Sequence, residues 1–326
     1  MPTTHLQPRV AVIVLNYNSW QETVQCLESL RATTYSRWQA IVVDNGSTND
    51  SVRQIQAWAA RAGWPVADAV SSEESGSPRP LVLLPAGRNL GYTGGNNAGI
   101  RHALHAGFDL VLVLNNDTTV DREFLNVLVE FACEHPRAGM VGPCIYEADR
   151  PQTIQSAGAR IHWWKAKFPP LSGGITGAEL GETPRMVDYI SGAAILVRRE
   201  TIERIGVLDE AFYLYVEEVD WCRRSAVAGY GIWVVPRSRI WHQGAASAKR
   251  APQPSVEYYR FRNRIFFMRK HARWYHWLVF GPYLLRHVLG KSIGYLAAGR
   301  REHCLALWRA LRDGLCQKLS PVTTRL

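Results

Sequence analysis

The sequence of 326 residues lacks both glycine-rich fingerprints of the commonest nucleotide-binding folds. A dinucleotide-binding domain carries G-x-G-x-x-G directly after its first strand, but here the first apolar run leads into NYNSW at 16–20. The glycine-rich segment follows the third apolar run instead, and the P-loop pattern G-x-x-x-x-G-K-S/T is missing. These absences exclude a nicotinamide or flavin enzyme and a P-loop protein.

Cysteine pairs, a leader and a spanning helix are also lacking. The six cysteines form no C-x-x-C pair and several lie in apolar or helical patterns, which indicates buried thiols and a reducing compartment. Residues 1–10 contain no basic region followed by an apolar core, so we expect neither a signal peptide nor an N-terminal anchor. Arg286, His287 and Lys291 interrupt the apolar stretch at 277–298, which argues against a spanning helix of ~20 apolar residues.

Basic charge is concentrated in the last quarter of the chain. The formal net charge is +10; residues 251–326 contain 14 Lys and Arg against 3 Asp and Glu, which leaves 24 against 25 in residues 1–250. Aromatic residues are interleaved with these cations, as in interfacial helices that bind an anionic membrane. Binding of nucleic acid is the rival explanation for such a segment, but it explains nothing about residues 1–250.

Apolar runs alternate with helical patterns in the first half of the chain. Such alternation predicts an α/β domain with a mostly parallel sheet and right-handed crossovers. Several runs end abruptly in polar residues, where ligands bind in open α/β sheets. The first run, 10–16, ends in Asn16, and the second, 41–43, is followed by Asp44. The third, 81–85, leads into the glycine-rich segment. The fourth, 110–114, is followed by Asn115, Asn116 and Asp117.

Several motifs in order resemble those of a known enzyme family. They are NYN at 16–18, VVDNGSTNDS at 42–51, NLGYTGGNNAG at 89–99, LNND at 114–117, SGAAILVRRE at 191–200, LDEAFYLYVEEVDWCRR at 208–224 and IWHQGAAS at 240–247. Together they resemble the inverting glycosyltransferases of family 2 with the GT-A fold, especially the rhamnosyltransferase-like branch. The resemblance spans about residues 8–270.

The resemblance implies a GT-A domain at 1–250, with a donor-binding half at about 8–120 and an acceptor and catalytic half at about 121–250. Residues 251–326 are then expected to form a basic, aromatic, helical segment on the inner face of the cytoplasmic membrane. The implied activity is inverting, metal-dependent transfer of one sugar from a nucleoside diphosphate, with dTDP-rhamnose suggested by the branch. The acceptor would be a saccharide, lipid-linked, in cell-surface polysaccharide assembly. The alternatives are a nucleotidyltransferase and a non-catalytic carbohydrate- or nucleic-acid-binding protein.

Asp117 and His242 are the expected ligands of a divalent cation. Transfer from a nucleoside diphosphate builds charge on the departing diphosphate, which a Lewis acid stabilises. Mg²⁺ and Mn²⁺ prefer carboxylate and water, and Mn²⁺ also accepts imidazole. The resemblance makes Asp117 the last acid of an Asp-x-Asp-like motif in which Asn115 stands at the other position. The alternative for Asp117 is a cap of the following helix.

The expected contacts with the donor come from strand ends and from the glycine-rich segment. The resemblance implies that Asp44 contacts the base or ribose, although a turn role is open to it. Glycines in the segment would let the backbone approach the nucleotide, and we favour a ligand role over a cap for Asn96. The complete set of donor-binding candidates is Asn16, Asn18, Asp44, Asn89, Gly91, Gly95, Asn96 and Asn116.

Acidic residues in VEEVDWCRR supply the expected base. Inversion requires a carboxylate to remove a proton from the acceptor hydroxyl, and the resemblance assigns this role to Glu218. Glu217 points elsewhere on a helix because adjacent residues are about 100° apart, so we expect it to bind the acceptor or backbone, together with Ser191 and Gly192. Asp220 should face away and orient Arg223, Arg224 or a backbone amide.

Overall fold

The computed structural model describes residues 7–67, 81–244 and 253–317. Residues 71–80, whose Ser-, Glu-, Gly- and Pro-rich sequence predicts a surface loop, lie outside these residues, as do positions 245–247 of the last motif. All six cysteines are described and are free thiols.

The N-terminal half alternates strands and helices as the sequence predicts. Strands are buried apolar runs, and the helices between them present apolar positions to the sheet. The elements are β1 Val10–Asn16, α1 Trp20–Arg31, β2 Trp38–Asp44, α2 Ser51–Arg61, β3 Val66–Ala67, β4 Leu81–Pro85, α3 Gly91–His105 and β5 Leu110–Asn115.

In the C-terminal half, strands and helices of varied length come first, and three helices follow them. Its first elements are β6 Thr118–Val120, α4 Phe124–Glu134, β7 Ala138–Glu147, β8 Ile154–Ser156, α5 Gly177–Leu180, β9 Arg185–Met186, β10 Ala194–Arg198, α6 Arg199–Ile205, α7 Glu217–Val227 and β11 Gly231–His242. Three helices follow, α8 Pro254–His271, α9 Trp277–Ala297 and α10 Arg301–Cys316, with a 3₁₀ turn at Trp274–His276 before α9.

One sheet runs through the domain in the order β3-β4-β2-β1-β5-β10-β7-β11-β6. The strands from β3 to β5 are parallel, whereas β10 is antiparallel to both β5 and β7. Helices α1, α2 and α4 cover one face, and α3, α6, α7 and α8 cover the other. The register aligns Asn16 with Asp44 and Leu15 with Asn115, so the polar strand ends meet at one edge of the sheet.

The first helix beyond residue 250 packs into the core of the sheet domain. Phe261, Ile265, Phe266 and Phe267 of α8 are buried in the same cluster as residues of β5 and β10. The boundary placed near residue 250 therefore does not separate two hydrophobic cores. Among the described residues, no helix is long and apolar enough to cross a membrane.

Two local expectations need correction. Residues 94–97 lie inside α3, which begins at Gly91, so most of the predicted glycine-rich loop is helix. The sequence also favours Ser47 or Thr48 as the cap of the helix after the second apolar run, but the residue before α2 is Asp50. Ser47 instead accepts a hydrogen bond from the backbone of Asn18, 2.9 Å away, which ties the loops after β1 and β2 together.

Candidate active site

A cavity of about 640 Å³ opens where β1, β2 and β5 end. We refer to it as the strand-end cavity. Its walls include Asn45, Asn89, Tyr92, Asn116 and Asp117. Because the site of a parallel sheet lies beyond the carboxyl ends of its strands, this cavity is in the position that the sequence predicts for a ligand.

Asp117 and His242 are brought together by strand pairing. β6, which follows Asp117, pairs antiparallel with the end of β11, and His242 aligns with Thr118. The His242 Nε2 atom is 3.1 Å from Oδ1 of Asp117. Asp117 precedes a strand and not a helix, and α4 begins only at Phe124, so the helix-cap alternative is wrong.

The imidazole of His242 is oriented by an amide that we had not expected. Its Nδ1 atom is 2.7 Å from Oε1 of Gln155, an oxygen that only accepts hydrogen bonds, so Nδ1 carries the proton. Its Nε2 atom faces Asp117, with Asn115 Nδ2 3.3 Å away. A metal-ligating histidine ordinarily donates its other N–H in this way. The pair therefore fits two ligands of a divalent cation.

The described residues contain no group of three or more His, Cys, Asp and Glu side chains that could hold a metal ion. Asp117 and His242 alone would thus fill only two coordination positions of an octahedral ion and leave the others open. Mg²⁺-type sites commonly use one or two protein groups and fill the rest with water and substrate phosphate. Such an ion would bind firmly only together with a phosphate-bearing ligand.

Glu218 lies in the first turn of α7, close behind Gly192. A Cβ built on Gly192 would be 3.8 Å from Cβ of Glu218. Burial raises the pKa of Glu218 to about 7, and hydrogen bonds from backbone amides offset only part of this effect. Its Oε2 atom is buried and has no hydrogen-bond partner within the described part of the chain. A carboxylate with these properties can accept a proton near neutral pH.

The loop that leads into Glu218 has an unusual backbone. Tyr213, Tyr215 and Val216 have φ values of 64°, 70° and 72°. Left-handed backbone is disfavoured for β-branched residues such as valine, and each such residue costs of order 1–3 kcal/mol. The surrounding structure must therefore hold this loop in place.

Helix α8 supplies the groups that hold the loop. Asn263, which is fully buried, donates hydrogen bonds to the carbonyl oxygens of Phe212, Leu214 and Tyr215 at 2.7–2.8 Å. Arg262 donates to the Phe212 carbonyl at 3.0 Å. The sequence reading missed both residues, because their partners are about 50 positions away along the chain.

Asp220 faces away from Glu218, as the sequence predicts. Its carboxylate accepts from Arg224 Nε at 2.8 Å and lies 2.8 Å from Lys270 Nζ and 2.7 Å from His271 Nε2. Burial alone would raise the pKa of Asp220, but these cations outweigh it and hold the pKa well below its usual range. Asp220 therefore stays ionised and anchors α7 to α8.

Tyr92 joins the two halves of the site, although the sequence reading did not single it out. Its hydroxyl donates to the Gly192 carbonyl oxygen at 2.7 Å and lies 3.2 Å from Asn115 Oδ1. Burial raises the pKa of Tyr92 well above its ordinary value, and the charges of Glu217, Glu218 and Asp117 raise it further. These three carboxyl groups therefore surround one neutral phenol.

Three residues predicted to bind the sugar donor make hydrogen bonds within and between the loops that follow β1 and β2. Asn16 is fully buried and donates to Asp44 Oδ1 at 2.9 Å, while Asn18 accepts from the Thr48 amide at 2.8 Å. Asp44 Oδ2 accepts from the Ser47 amide at 3.1 Å, which is the turn role left open for it. Direct contact of these residues with a donor stays a prediction.

The glycine-rich candidates divide into two groups. Asn89 and Gly91 line the strand-end cavity, and Gly91 has a φ of 73°. Gly95 lies inside α3, where a Cβ would come within 2.4 Å of Leu15, so it permits close packing of helix on sheet. Asn96 is 1% exposed and donates to the Tyr92 carbonyl at 2.9 Å, while its Oδ1 atom has no hydrogen-bond partner among the described residues. Contact of Asn96 with a donor stays a prediction.

The remaining candidates lie around Tyr92 and α7. Asn116 lines the strand-end cavity and donates to Thr23 Oγ1 at 3.0 Å. Ser191 and Gly192 are half-buried beside Tyr92. Glu217 is 4% exposed, and burial together with the charge of Glu218 raises its pKa well above the ordinary value. Contact of Ser191, Gly192 and Glu217 with an acceptor stays a prediction.

Solved structures with a similar fold are glycosyltransferases. GalNAc-T7 with UDP, GalNAc and Mn²⁺ aligns with a TM-score of 0.61 at 15% identity, over 81% of this chain and 48% of that chain. This chain therefore spans about half of GalNAc-T7. A mannosyltransferase from Pyrobaculum calidifontis with GDP-Man and Mn²⁺ aligns with a TM-score of 0.57 at 16% identity, over 98% of this chain and 78% of that chain. The protein has the GT-A fold of glycosyltransferases.

The sequence profile described as Glycosyl transferase family 2 matches residues 11–206, and the chain belongs to that family. The N-acetylglucosaminyl-diphospho-decaprenol L-rhamnosyltransferase of Mycobacterium tuberculosis is 28% identical over 306 residues, covering 86% of this chain and 92% of that protein. The dTDP-rhamnosyl transferase RfbF of Shigella flexneri is 24% identical over 195 residues, covering 58% and 63%. The predicted family and its rhamnosyltransferase-like branch are confirmed.

Proposed function

We propose that this protein is an inverting, metal-dependent glycosyltransferase that moves one sugar from a nucleoside diphosphate onto a lipid-linked saccharide. One observation carries the proposal. Asp117 and His242, a pair of side chains suited to a cation, and Glu218, with its raised pKa, all lie close to Tyr92 and Gly192. Inverting transfer needs these two features on opposite sides of the reacting sugar.

Asp117 and His242 would hold the cation, Mg²⁺ or Mn²⁺, with Gln155 fixing the imidazole. When bound, the cation stabilises the negative charge that develops on the leaving diphosphate. The chain itself positions the donor in the strand-end cavity, where Asn89, Gly91 and Asn116 line the wall. The two similar structures whose descriptions include Mn²⁺ support this assignment.

Glu218 would remove the proton of the acceptor hydroxyl. The hydroxyl oxygen then bonds to the anomeric carbon from the face opposite the nucleotide, and the bond from that carbon to the diphosphate oxygen breaks. The electron pair leaves with the nucleoside diphosphate, and the proton remains on Glu218. Approach from the opposite face inverts the anomeric configuration.

We infer that the donor sugar is rhamnose carried by dTDP, in cell-surface polysaccharide assembly. Two relatives support this, since the names of the M. tuberculosis and S. flexneri proteins specify rhamnosyl transfer. The name of the M. tuberculosis protein also specifies a diphospho-decaprenol acceptor, which supports a lipid-linked acceptor here.

We also infer that the protein lies on the inner face of the cytoplasmic membrane. One side of α9 presents Leu278, Leu285, Leu289, Ile293 and Leu296 to solvent. These residues recur at helical spacing and form one apolar stripe, which we call the α9 stripe. An interfacial helix buries such a stripe in the headgroup region, and the basic composition of residues 251–326 favours an anionic surface.

Thermal unfolding with candidate donors tests the donor and the cation together. At a hundred times its dissociation constant, a ligand stabilises the folded state by ~2.7 kcal/mol. We expect dTDP-rhamnose with Mn²⁺ to raise the unfolding temperature more than UDP-GlcNAc or GDP-mannose. Asp117→Asn and His242→Ala should each remove the Mn²⁺-dependent part of this rise. A rise that survives both substitutions would contradict the assigned cation site.

A further inference from the structure

A second cavity of about 640 Å³ lies between α7 and the C-terminal helices. We call it the cationic cavity, because Lys167, Arg260, Arg264 and Lys291 line it. Glu218 forms part of its wall. The only other carboxylate among its lining residues is Glu257, which forms an ion pair with Lys291.

The other three cations have no carboxylate partner among the described residues. Arg264 is fixed by donating to the carbonyl oxygens of Ala166 at 2.9 Å and Lys165 at 2.8 Å. Arg260 lies over the ring of Tyr215, 4.6 Å from its centroid. Neither a carbonyl oxygen nor an aromatic ring neutralises a charge. The cavity therefore concentrates positive charge for an anionic ligand.

Glu218 lines the cationic cavity but is not among the residues that line the strand-end cavity. The loop at 213–216, which leads into α7, separates the two cavities. Tyr213 and Leu214 line the strand-end cavity, whereas Tyr215 and Val216 line the cationic cavity. A ligand in the cationic cavity would thus approach Glu218 from the acceptor side. Its neighbour α9 also carries the α9 stripe on its exposed side.

We propose that the cationic cavity binds the diphosphate of a lipid-linked acceptor, with Lys167, Arg260 and Arg264 as its ligands and the acceptor sugar directed toward Glu218. This rests on the proposed glycosyl transfer. Arginine suits the role because its planar group binds phosphate oxygens in pairs, and the lysine adds a point charge. The lipid would then extend toward the membrane on which α9 lies.

Calorimetric titration with geranyl diphosphate, in EDTA to weaken cation-dependent binding in the strand-end cavity, tests the ligand directly. The double variant Lys167→Gln, Arg260→Gln should bind at least about tenfold more weakly, since a hydrogen bond to a charged group is commonly worth that much. Arg286→Gln is the matched control, an exposed cation on α9 outside the cavity. Both it and Asp117→Asn should bind geranyl diphosphate as the unsubstituted chain does.

Three results would overturn the proposal. The first is unchanged binding by the double variant, and the second is loss of binding in Asp117→Asn alone, which would locate the diphosphate in the strand-end cavity. The third is displacement of geranyl diphosphate by a water-soluble glycerol phosphodiester, which carries a phospholipid headgroup without acyl chains and would make the cavity a phospholipid headgroup site.

A kinetic comparison separates this proposal from the function on which it rests. With a diphosphate-linked acceptor the double variant should show a higher acceptor KM, whereas an alkyl glycoside of the same sugar, which has no diphosphate, should show no difference. Equal loss with both acceptors would contradict a diphosphate site. Absence of transfer by the unsubstituted chain to either acceptor would refute the glycosyltransferase function. The titration with geranyl diphosphate would still test whether the cationic cavity binds a diphosphate.

Discussion

Glu218 and Asp220 are two positions apart on α7 but have opposite electrostatic surroundings. Burial raises the pKa of Glu218 to about 7. At Asp220 burial acts in the same direction, but Arg224, Lys270 and His271 outweigh it and keep the pKa well below its usual range. Of the two, only Glu218 can change its protonation near neutral pH, which is what a general base requires.

The activity should therefore depend on pH through Glu218. The base acts when ionised, so kcat/KM should rise with pH and level off above about 7, the pKa of the free enzyme's base. Rates measured at saturating Mn²⁺ from about pH 5.5 to about 8.5 would show this rise. A flat profile, or one that falls across this range, would contradict the assignment.

The same burial affects folding stability. A carboxyl group whose pKa is raised on folding stabilises the native state while it is protonated, and this contribution is lost as pH rises through the folded pKa of about 7. Keeping an ionisable glutamate in this position therefore lowers stability above neutrality. Loss of stability at a functional residue is a common trade-off.

Residues at strand ends could be predicted from the sequence, but their partners could not. Asp117 and His242 each follow an apolar run, and the strand pairing of β6 with β11 places them together. Gln155 and Tyr92 act through hydrogen bonds that span 87 and 100 positions, and no local pattern reports such contacts. The burial of Asn96 could not be predicted either, because no local pattern reports that this polar residue of the glycine-rich segment lies inside a packed helix.

At the scale of elements, α8 acts as a brace for the loop before α7. Asn263 bonds three carbonyl oxygens of this loop, and Lys270 and His271 bond Asp220 on α7 itself. Polar residues at two places on this helix, about two turns apart, thus set the position of Glu218. The left-handed residues of the loop persist because these contacts over-determine their conformation.

Asn263→Leu should release this brace while keeping a side chain of similar size. The carbonyl oxygens of Leu214 and Tyr215 would lose this donor, at a cost of about 1–3 kcal/mol for each group left unsatisfied, whereas the Phe212 carbonyl oxygen would keep Arg262. We expect a lower unfolding temperature and a lower kcat, because the loop that leads into Glu218 would lose this support. Asn126→Leu, at a half-buried position on α4, is the control. Wild-type kcat in Asn263→Leu would refute a role for the brace.

Element types followed from the sequence better than their pairing did. Continuous apolar runs predicted the strands of the N-terminal half, and the parallel sheet there agrees. The antiparallel insertion of β10 between β5 and β7 depends on contacts across more than fifty positions, which periodicity does not encode. Packing of α8 into the domain was missed for the same reason, because its cations suggested a surface segment.

At the scale of the whole molecule, the C-terminal helices differ in what they contact. Helix α8 is part of the core, whereas α9 buries Phe280, Leu284 and Val288 and exposes the α9 stripe on its other side. An exposed contiguous apolar surface on a basic region is typical of a membrane-binding face. Composition alone could predict that this segment is basic. That α8 packs into the core while α9 exposes an apolar stripe could be learned only from the structure.

Substitutions in the α9 stripe should weaken membrane attachment without unfolding the protein. Leu285 and Ile293 are 56% and 70% exposed, so Leu285→Ser with Ile293→Ser removes little buried area. We expect binding to phosphatidylglycerol vesicles to fall at least about tenfold, since each such side chain contributes about 1.5–3 kcal/mol when buried. Val227→Ser, at a position 67% exposed on α7, should bind as the unsubstituted chain does. Equal vesicle binding by all three proteins would show that the α9 stripe does not contact the membrane.

Turnover of Glu218→Gln, measured beside its donor affinity, tests the account most directly. Loss of a general base costs about 10² to 10⁴ in rate and leaves substrate binding intact. We therefore predict that Glu218→Gln binds nucleotide sugar with unchanged affinity and turns over at least about a hundredfold more slowly. Asp220→Asn should instead lose about 3–5 kcal/mol of stability, because it leaves buried cations unpaired. Near-normal turnover by Glu218→Gln, with the rate loss in folded Asp220→Asn, would contradict the account.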